Sequence, residues 1–263
     1  MPTKNTDFRE NTSQNIHESE MLNLKLRGAI MNGDEEEIEH LLAQGSFLDA
    51  ANDYALKVLI GVFKSRRTAL LERLLKSTVN MHDANEWRLM NAFIANSGKE
   101  HFKQMKILFE AGINVNCQDN NGMTVLMLAS YTGNYQLAKV FLDAGAGVNL
   151  QSDRGKTALM FAVCNEYSKH SESLLQSLLT AEANVNTQDD DGKTALIHAA
   201  ESGSESWRNG SNTLAEIIKS LLTAKADASI KDKDGKTALM YAIEKDREDS
   251  IIKLLMPTEK QQS

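Results

Sequence analysis

Cysteine is scarce in this chain. Cys117 and Cys164 are the only two in 263 residues. Two cysteines cannot build the disulfide framework of a small secreted domain, so a reducing cytosol fits best. No stretch approaches the roughly 18 apolar residues of a membrane span. The first residues, MPTKNTDFRENTSQ, lack the apolar core of a cleaved signal. Excess positive charge is missing too. The formal net charge is −7 and the pI about 5.5, which argues against a nucleic-acid backbone or an anionic membrane as the main partner.

Motifs that carry chemistry are also lacking. GKT occurs three times, but a phosphate-binding loop needs a glycine five positions before the GK glycine. Those positions are Leu150, Thr187 and Ile230. Asp189, Asp190 and Asp191 before Gly192 suggest a calcium loop. Its opening acid would be Thr187 and its closing glutamate His198, so the ladder fails. His17-Glu18 has Met21 where a second zinc histidine would stand, and neither cysteine sits in a CxxC. No GxSxG elbow is present. The expectation is no catalytic residue, no metal and no cofactor.

What the chain does have is repetition. Asp119–Asn149 reads DNNGMTVLMLASYTGNYQLAKVFLDAGAGVN. A glycine turn leads to Thr124, a residue type that caps helix starts. Leu126 and Ala129 share one face of a short helix, and Gly133 and Asn134 break it. Leu137, Val140 and Phe141 mark a second stripe, closed by Gly145. Two short helices cannot bury two apolar faces alone, so copies must stack on either side. The GMTVLMLA motif returns as GKTALMFA at Gly155–Ala162, GKTALIHA at Gly192–Ala199 and GKTALMYA at Gly235–Ala242. Thr124, Thr157, Thr194 and Thr237 are spaced by 33, 37 and 43 residues. Unit ends repeat as GINVN, GAGVN and EANVN, finishing at Asn116, Asn149 and Asn186.

A basic period of 33, a helix-start motif and a unit-end motif together resemble the ankyrin-repeat family. The family's TPLHxA start is altered. Its proline is Val125, Ala158, Ala195 and Ala238, and its histidine is Met127, Met160, Ile197 and Met240. His198 stands one position later, where the family varies. The resemblance implies an all-α ankyrin-repeat solenoid of about seven helix-turn-helix units with short turn fingers. The organisation expected is a mobile polar arm (1–20), a repeat domain (21–256) and a polar tail (257–263). Within the domain, 21–112 are diverged repeats and 113–256 family-like ones.

The diverged repeats are read from pattern. Leu26 and Ala29, then Ile38, Leu41 and Leu42, make the first unit, with Asp34–Glu37 as a solvated, helix-starting acid run. Leu56, Leu59 and Ile60, then Leu70, Leu71, Leu74 and Leu75, make the second. Arg66 and Arg67 fall at the break and are expected in solvent. Leu89, Ala92 and Phe93, then Met105, Ile107, Leu108 and Phe109, make the third, with Trp87 at the cap position. Insertions fall in Asn165–Ser173 and Gly203–Asn212. The second holds Trp207, read equally well as a contact residue or a lid. At the C-terminal end a polar outer face is expected on the last repeat. Gly45, Gly112 and Gly145 become Glu182 and Lys225 at later unit ends, where φ > 0 would be strained.

The resemblance also implies a function: a non-catalytic protein-interaction module whose partner lies on the concave face. Carried over by position, the variable site is Leu128, Phe161, His198 and Tyr241. One turn later come Tyr131, Cys164, Glu201 and Glu244. The finger tips carry Asn120, Asp153, Arg154, Asp190, Asp191, Lys233 and Asp234. The rings could form an apolar stripe with Glu201 and Glu244 meeting a partner's basic residues, or they could complete the core. A protein partner, a monomer and a cytoplasmic location are expected. The TALM-type starts are similar to those of microbial and parasite proteins, including effectors delivered into host cells. The rival reading is an enzyme or host-directed activity in the diverged N-terminal half.

Overall fold

The computed structural model describes residues 20–49, 53–65, 67–79, 83–95, 102–164, 171–202 and 214–256. It divides into two compact units, Met1–Ile113 and Asn114–Ser263. Among the described residues no helix is long and apolar enough to cross a membrane.

The first unit runs α1 (20–32), α2 (Glu35–Ala43), β1 (Leu48–Asp49), α3 (Asp53–Lys64), α4 (Thr68–Lys76), β2 (Thr78–Val79), α5 (Asp83–Ala95) and α6 (Phe102–Glu110). Helix α3 lies against α4 and α5, and α4 against α6. The apolar spacing dictates this arrangement. Leu26, Ile38, Leu41, Leu59, Leu71, Leu74 and Leu89 are all fully covered. Phe63 and Phe93 stack with ring centroids 3.8 Å apart. Where the second unit has fingers, this one has two strands of two residues each, with Leu48 beside Thr78 and Asp49 beside Val79 in parallel.

Two expectations are corrected here. Trp87 is not a cap, because α5 already begins at Asp83 and runs 13 residues. Asp34 does cap α2, accepting from the Glu37 N–H at 3.1 Å. The acid run is more than solvated, however. Arg67, expected in solvent, pairs with Glu35, and Arg73 pairs with Glu39. Both pairs join α2 to α4. Arg66 lies outside the described residues.

The second unit comprises α7 (Val125–Tyr131), α8 (Tyr135–Asp143), α9 (Ala158–Val163), α10 (Ser171–Thr180), α11 (Ala195–Ser202), α12 (Leu214–Thr223), α13 (Ala238–Glu244) and α14 (Asp249–Leu255). The first helices stack as one layer, α7 on α9 on α11 on α13. The second helices stack as another, α8 on α10 on α12 on α14. Each first helix also lies against the second helix that follows it. Every first helix is capped by its threonine: Thr124, Thr157, Thr194 and Thr237 each accept from the N–H three residues on. A cap of this kind contributes about 1 kcal/mol.

The unit-end asparagines tie each repeat to the next. Asn116 Oδ1 accepts from the Gly147 N–H at 2.7 Å. Asn149 accepts from Asn184 N–H and donates to the Glu182 carbonyl. Asn186 does the same with Asp227 N–H and the Lys225 carbonyl. Glutamines form a second ladder. Gln118, Gln151 and Gln188 each donate to the carbonyl of their own finger glycine and to a carbonyl of the next repeat. Repetition is required because each glutamine amide has one of its two partners, and each asparagine amide all of those described, in the neighbouring unit.

Glu182 and Lys225 take φ of 63° and 69°, as their positions require. Asp246 also has φ 51°, at the place between first and second helix where Gly133 takes φ 66° in an earlier repeat. Because the Glu182 and Lys225 carbonyls stay bonded to asparagine, glycine preserves those contacts and removes the Cβ strain. Glu182→Gly and Lys225→Gly should each stabilise by up to about 1 kcal/mol. Urea unfolding decides this, and a loss in both variants would sink it.

The last repeat departs from the polar outer face expected of it. Met240 is 45% exposed and Ile243 57%. Leu254 and Met256 are exposed as well. The reason lies in the stacking. Met127, Met160 and Ile197 occupy the Met240 position in earlier repeats and are buried by the repeat that follows. Among the described residues no repeat follows α13 and α14.

Candidate functional site

Each finger of the second unit turns on its glycine and is pinned at its base by one side chain. Asp119 Oδ1 accepts from the N–H groups of Asn121 and Met123 at 2.8 Å. Asp189 Oδ1 accepts from Asp191 and Lys193, and Asp232 Oδ1 from Asp234 and Lys236. Ser152 replaces the acid in the second finger and accepts only from Lys156 N–H, at 3.3 Å. Fingers then join edge to edge. Asp153 N–H donates to the Asn121 carbonyl, Asp190 N–H to that of Arg154 and Lys233 N–H to that of Asp191. The tip residues Asp153, Arg154, Asp190 and Asp191 are exposed.

The variable site behaves differently in each repeat. Leu128 and Phe161 are half-buried. His198 and Tyr241 are only 6% exposed, so they do not present rings to a partner, and the expected column of three exposed rings is corrected. The second oxygen of the finger acid draws them in. His198 Nε2 lies 2.7 Å from Asp189 Oδ2, and Tyr241 Oη donates to Asp232 Oδ2 at 2.6 Å. A carboxylate oxygen only accepts here, so His198 carries its proton on Nε2. Burial holds the His198 imidazole below its ordinary pKa and the positive charge of Lys156 adds to this, against the opposing pull of Asp189 and Glu201. Bonding to Asp232, then burial, raises the Tyr241 phenol. Asp232 is lowered: burial works against its charge, but the bonds from Tyr241 and from the Lys236 and Asp234 N–H groups outweigh it.

One turn later stand Tyr131, Cys164, Glu201 and Glu244. Glu201 and Glu244 are not open acids waiting for a basic partner, as their positions suggested. Lys193 Nζ sits 2.7 Å from Glu201, and Lys236 Nζ 2.7 Å from Glu244. Burial opposes the charge on Lys193, but bonding to Glu201 more than compensates and raises its pKa. Bonding to Glu244 raises that of Lys236. The two ammonium groups also lie 5.1 and 5.3 Å from the centre of the Tyr241 ring, within cation–π range. These finger-base lysines escape a reading of the sequence that treats GKT as turn and cap. The signal was the eight-residue step from lysine to glutamate, repeated in two successive units.

The aromatic surface lies in the two earlier repeats. Tyr131 is 61% exposed. Its ring meets that of Phe161 edge-on, 6.1 Å between centroids and 86° between planes. Cys164 is half-buried beside them in repeat order. The first helices therefore carry an apolar half at Leu128, Tyr131, Phe161 and Cys164. Beyond it is a half of closed ion pairs at Lys193–Glu201 and Lys236–Glu244. Trp207 lies outside the described residues.

Comparison with known proteins agrees with this geometry. A family model described as ankyrin repeats matches three times, over residues 59–152, 89–177 and 133–207. The matches begin inside α3, so they include much of the diverged region. No curated protein matches the chain. Together the three matches span more than half of the sequence, and the chain belongs to the ankyrin-repeat family.

Proposed function

We propose that this protein-interaction module holds a segment of its partner protein across Tyr131 and Phe161, on the first-helix side of the second unit. The observation that carries the reading is the exposure of Tyr131 in edge contact with Phe161. An exposed ring in contact with a half-buried one on the next repeat is the kind of group that dominates protein interfaces when a partner desolvates it. The finger tips flank this patch with Asp153, Arg154, Asp190 and Asp191. Exposed charges of that kind tune association rate and salt dependence more than affinity. His198 fixes the finger that carries Asp190 and Asp191 through its bond to Asp189.

The test needs a defined ligand. Random twelve-residue peptides, displayed by their C-terminal end on phage and selected on the full chain, supply one. Tyr131→Ala with Phe161→Ala is expected to weaken the selected peptides by thirtyfold or more, since a central aromatic truncation costs about 2 kcal/mol or more. Lys139→Ala with Lys219→Ala changes exposed lysines on second helices and should leave affinity unchanged. Circular dichroism checks that both variants stay folded. Equal binding by a folded Tyr131/Phe161 variant would place the site elsewhere.

A further inference from the structure

The finger-base lysines form a series of three, and one of them is incomplete. Lys193 closes on Glu201 and Lys236 on Glu244, each eight residues on. Lys156 occupies the same place in the preceding repeat, and eight residues on stands Cys164. Among the described residues no carboxylate lies within ion-pairing distance of the Lys156 ammonium, and only its backbone is hydrogen-bonded. The side chain is half-buried. A partly desolvated ammonium gains most from a charge-assisted bond. It also sits in repeat order beside the aromatic pair: Tyr131, exposed, belongs to the repeat before and Phe161, half-buried, to the same repeat.

The backbone is ready for the missing acid. Cys164 has αR geometry, φ −84° and ψ −7°, while Glu201 and Glu244 stand in the last turns of α11 and α13. A carboxylate at this place would therefore meet Lys156 as the glutamates meet their lysines. The surroundings also limit how many acids can be accepted. At the tips of this finger and the next, exposed Asp153, Asp190 and Asp191 outnumber the one exposed cation, Arg154, so a run of acids is repelled. A single acid at the finger base is favoured, with neutral or basic residues toward the tips.

We infer that Lys156 is a carboxylate subsite: the partner segment brings one Asp or Glu side chain to the Lys156 ammonium, and lays an adjoining aromatic or aliphatic side chain on Tyr131 and Phe161. This rests on the aromatic surface being the binding site. The occupant is an internal protein segment with one acid beside an apolar residue, and the other two lysines are closed to it by their own glutamates.

The displayed peptides described above are blocked at their C-terminal end, so only side-chain carboxylates can answer. The enriched sequences should share one Asp or Glu next to an aromatic or branched aliphatic residue. Converting that acid to its amide in a synthetic peptide should weaken binding about tenfold to the wild-type chain and less than twofold to Lys156→Gln. Selection on Lys156→Glu should return peptides with Lys or Arg at that place. Cys164→Glu provides an independent arm. It should close Lys156 from within, as Glu201 closes Lys193, and weaken the acidic peptides about tenfold while the protein stays folded. If the amide peptide binds as well as the acid while Tyr131→Ala still weakens both, the aromatic site stands and the carboxylate subsite is wrong. If neither Tyr131→Ala nor Lys156→Gln changes the affinity of any peptide, or no peptide is enriched, both readings fall.

Discussion

Gly155→Ala is expected to destabilise the second unit by about 3 kcal/mol, and Gly235→Ala by about half that. Both glycines hold the finger turn at positive φ, 69° and 76°, so both variants incur the left-handed cost of roughly 1–2 kcal/mol. The difference comes from the neighbour. A Cβ on Gly155 would stand 2.9 Å from the Asp190 backbone nitrogen and 3.0 Å from the Asp189 Cα. Backbone cannot swing aside as a side chain can. Relief requires the fingers to part, which breaks the bond from Asp190 N–H to the Arg154 carbonyl. At Gly192 the obstacle is the Lys233 nitrogen at 2.9 Å, and the loss should match that at Gly155. Nothing lies within 4 Å of a Cβ on Gly235, because among the described residues no further finger lies against its own. Urea midpoints of the three variants decide the matter. Equal losses at Gly155 and Gly235 would mean that finger-to-finger contact contributes little to the stack.

The parts of this fold legible in the sequence are those where side chains serve the backbone. Thr124, Thr157, Thr194 and Thr237 recur because a helix start needs an acceptor there. Asn149 and Asn186 recur because the next repeat offers them a free N–H and a carbonyl. Such requirements are the same in every unit, so they appear as a period. The first unit is harder to read because its finger motif is missing and two short paired strands stand in for it. The candidate site was only half legible for a different reason. Whether the variable residue is exposed depends on a residue nine positions earlier. His198 and Tyr241 are drawn inward by Asp189 and Asp232. Phe161 has Ser152 at that distance and Leu128 has no donor to offer the Asp119 carboxylate, so neither is held that way. Reading one column at a time misses a pairing between columns. Likewise Met240 carries the same apolar motif as Met160, and it is exposed because among the described residues no repeat covers it.

The pairing between columns has its own consequence. Asp189→Ala should cost about 3 kcal/mol, against about 0.5–1 kcal/mol for Ser152→Ala. Asp189 is buried and serves three donors: the N–H groups of Asp191 and Lys193 at 3.0 and 2.9 Å, and His198 Nε2 at 2.7 Å. Water can reach the exposed Asp191 once the carboxylate is gone. It reaches the half-buried Lys193 N–H less readily and the buried imidazole least. A buried donor left without an acceptor forfeits about 1–3 kcal/mol. Ser152 offers a single bond at 3.3 Å, so little is lost with it. A double-mutant cycle isolates the ring's share. In a His198→Leu background the variable residue is leucine beside a finger aspartate, the natural combination of Leu128 with Asp119. Asp189→Ala there should cost about 1.5 kcal/mol less than in the wild-type chain. Because Asp189 also fixes the backbone of Lys193, its loss loosens the Lys193–Glu201 pair, which the structure keeps closed at 2.7 Å. A second carboxylate-accepting lysine would then open beside Lys156, and acidic peptides should bind the folded Asp189→Ala protein in an additional register. A cycle with no coupling between Asp189 and His198 would show that His198 is buried by packing alone.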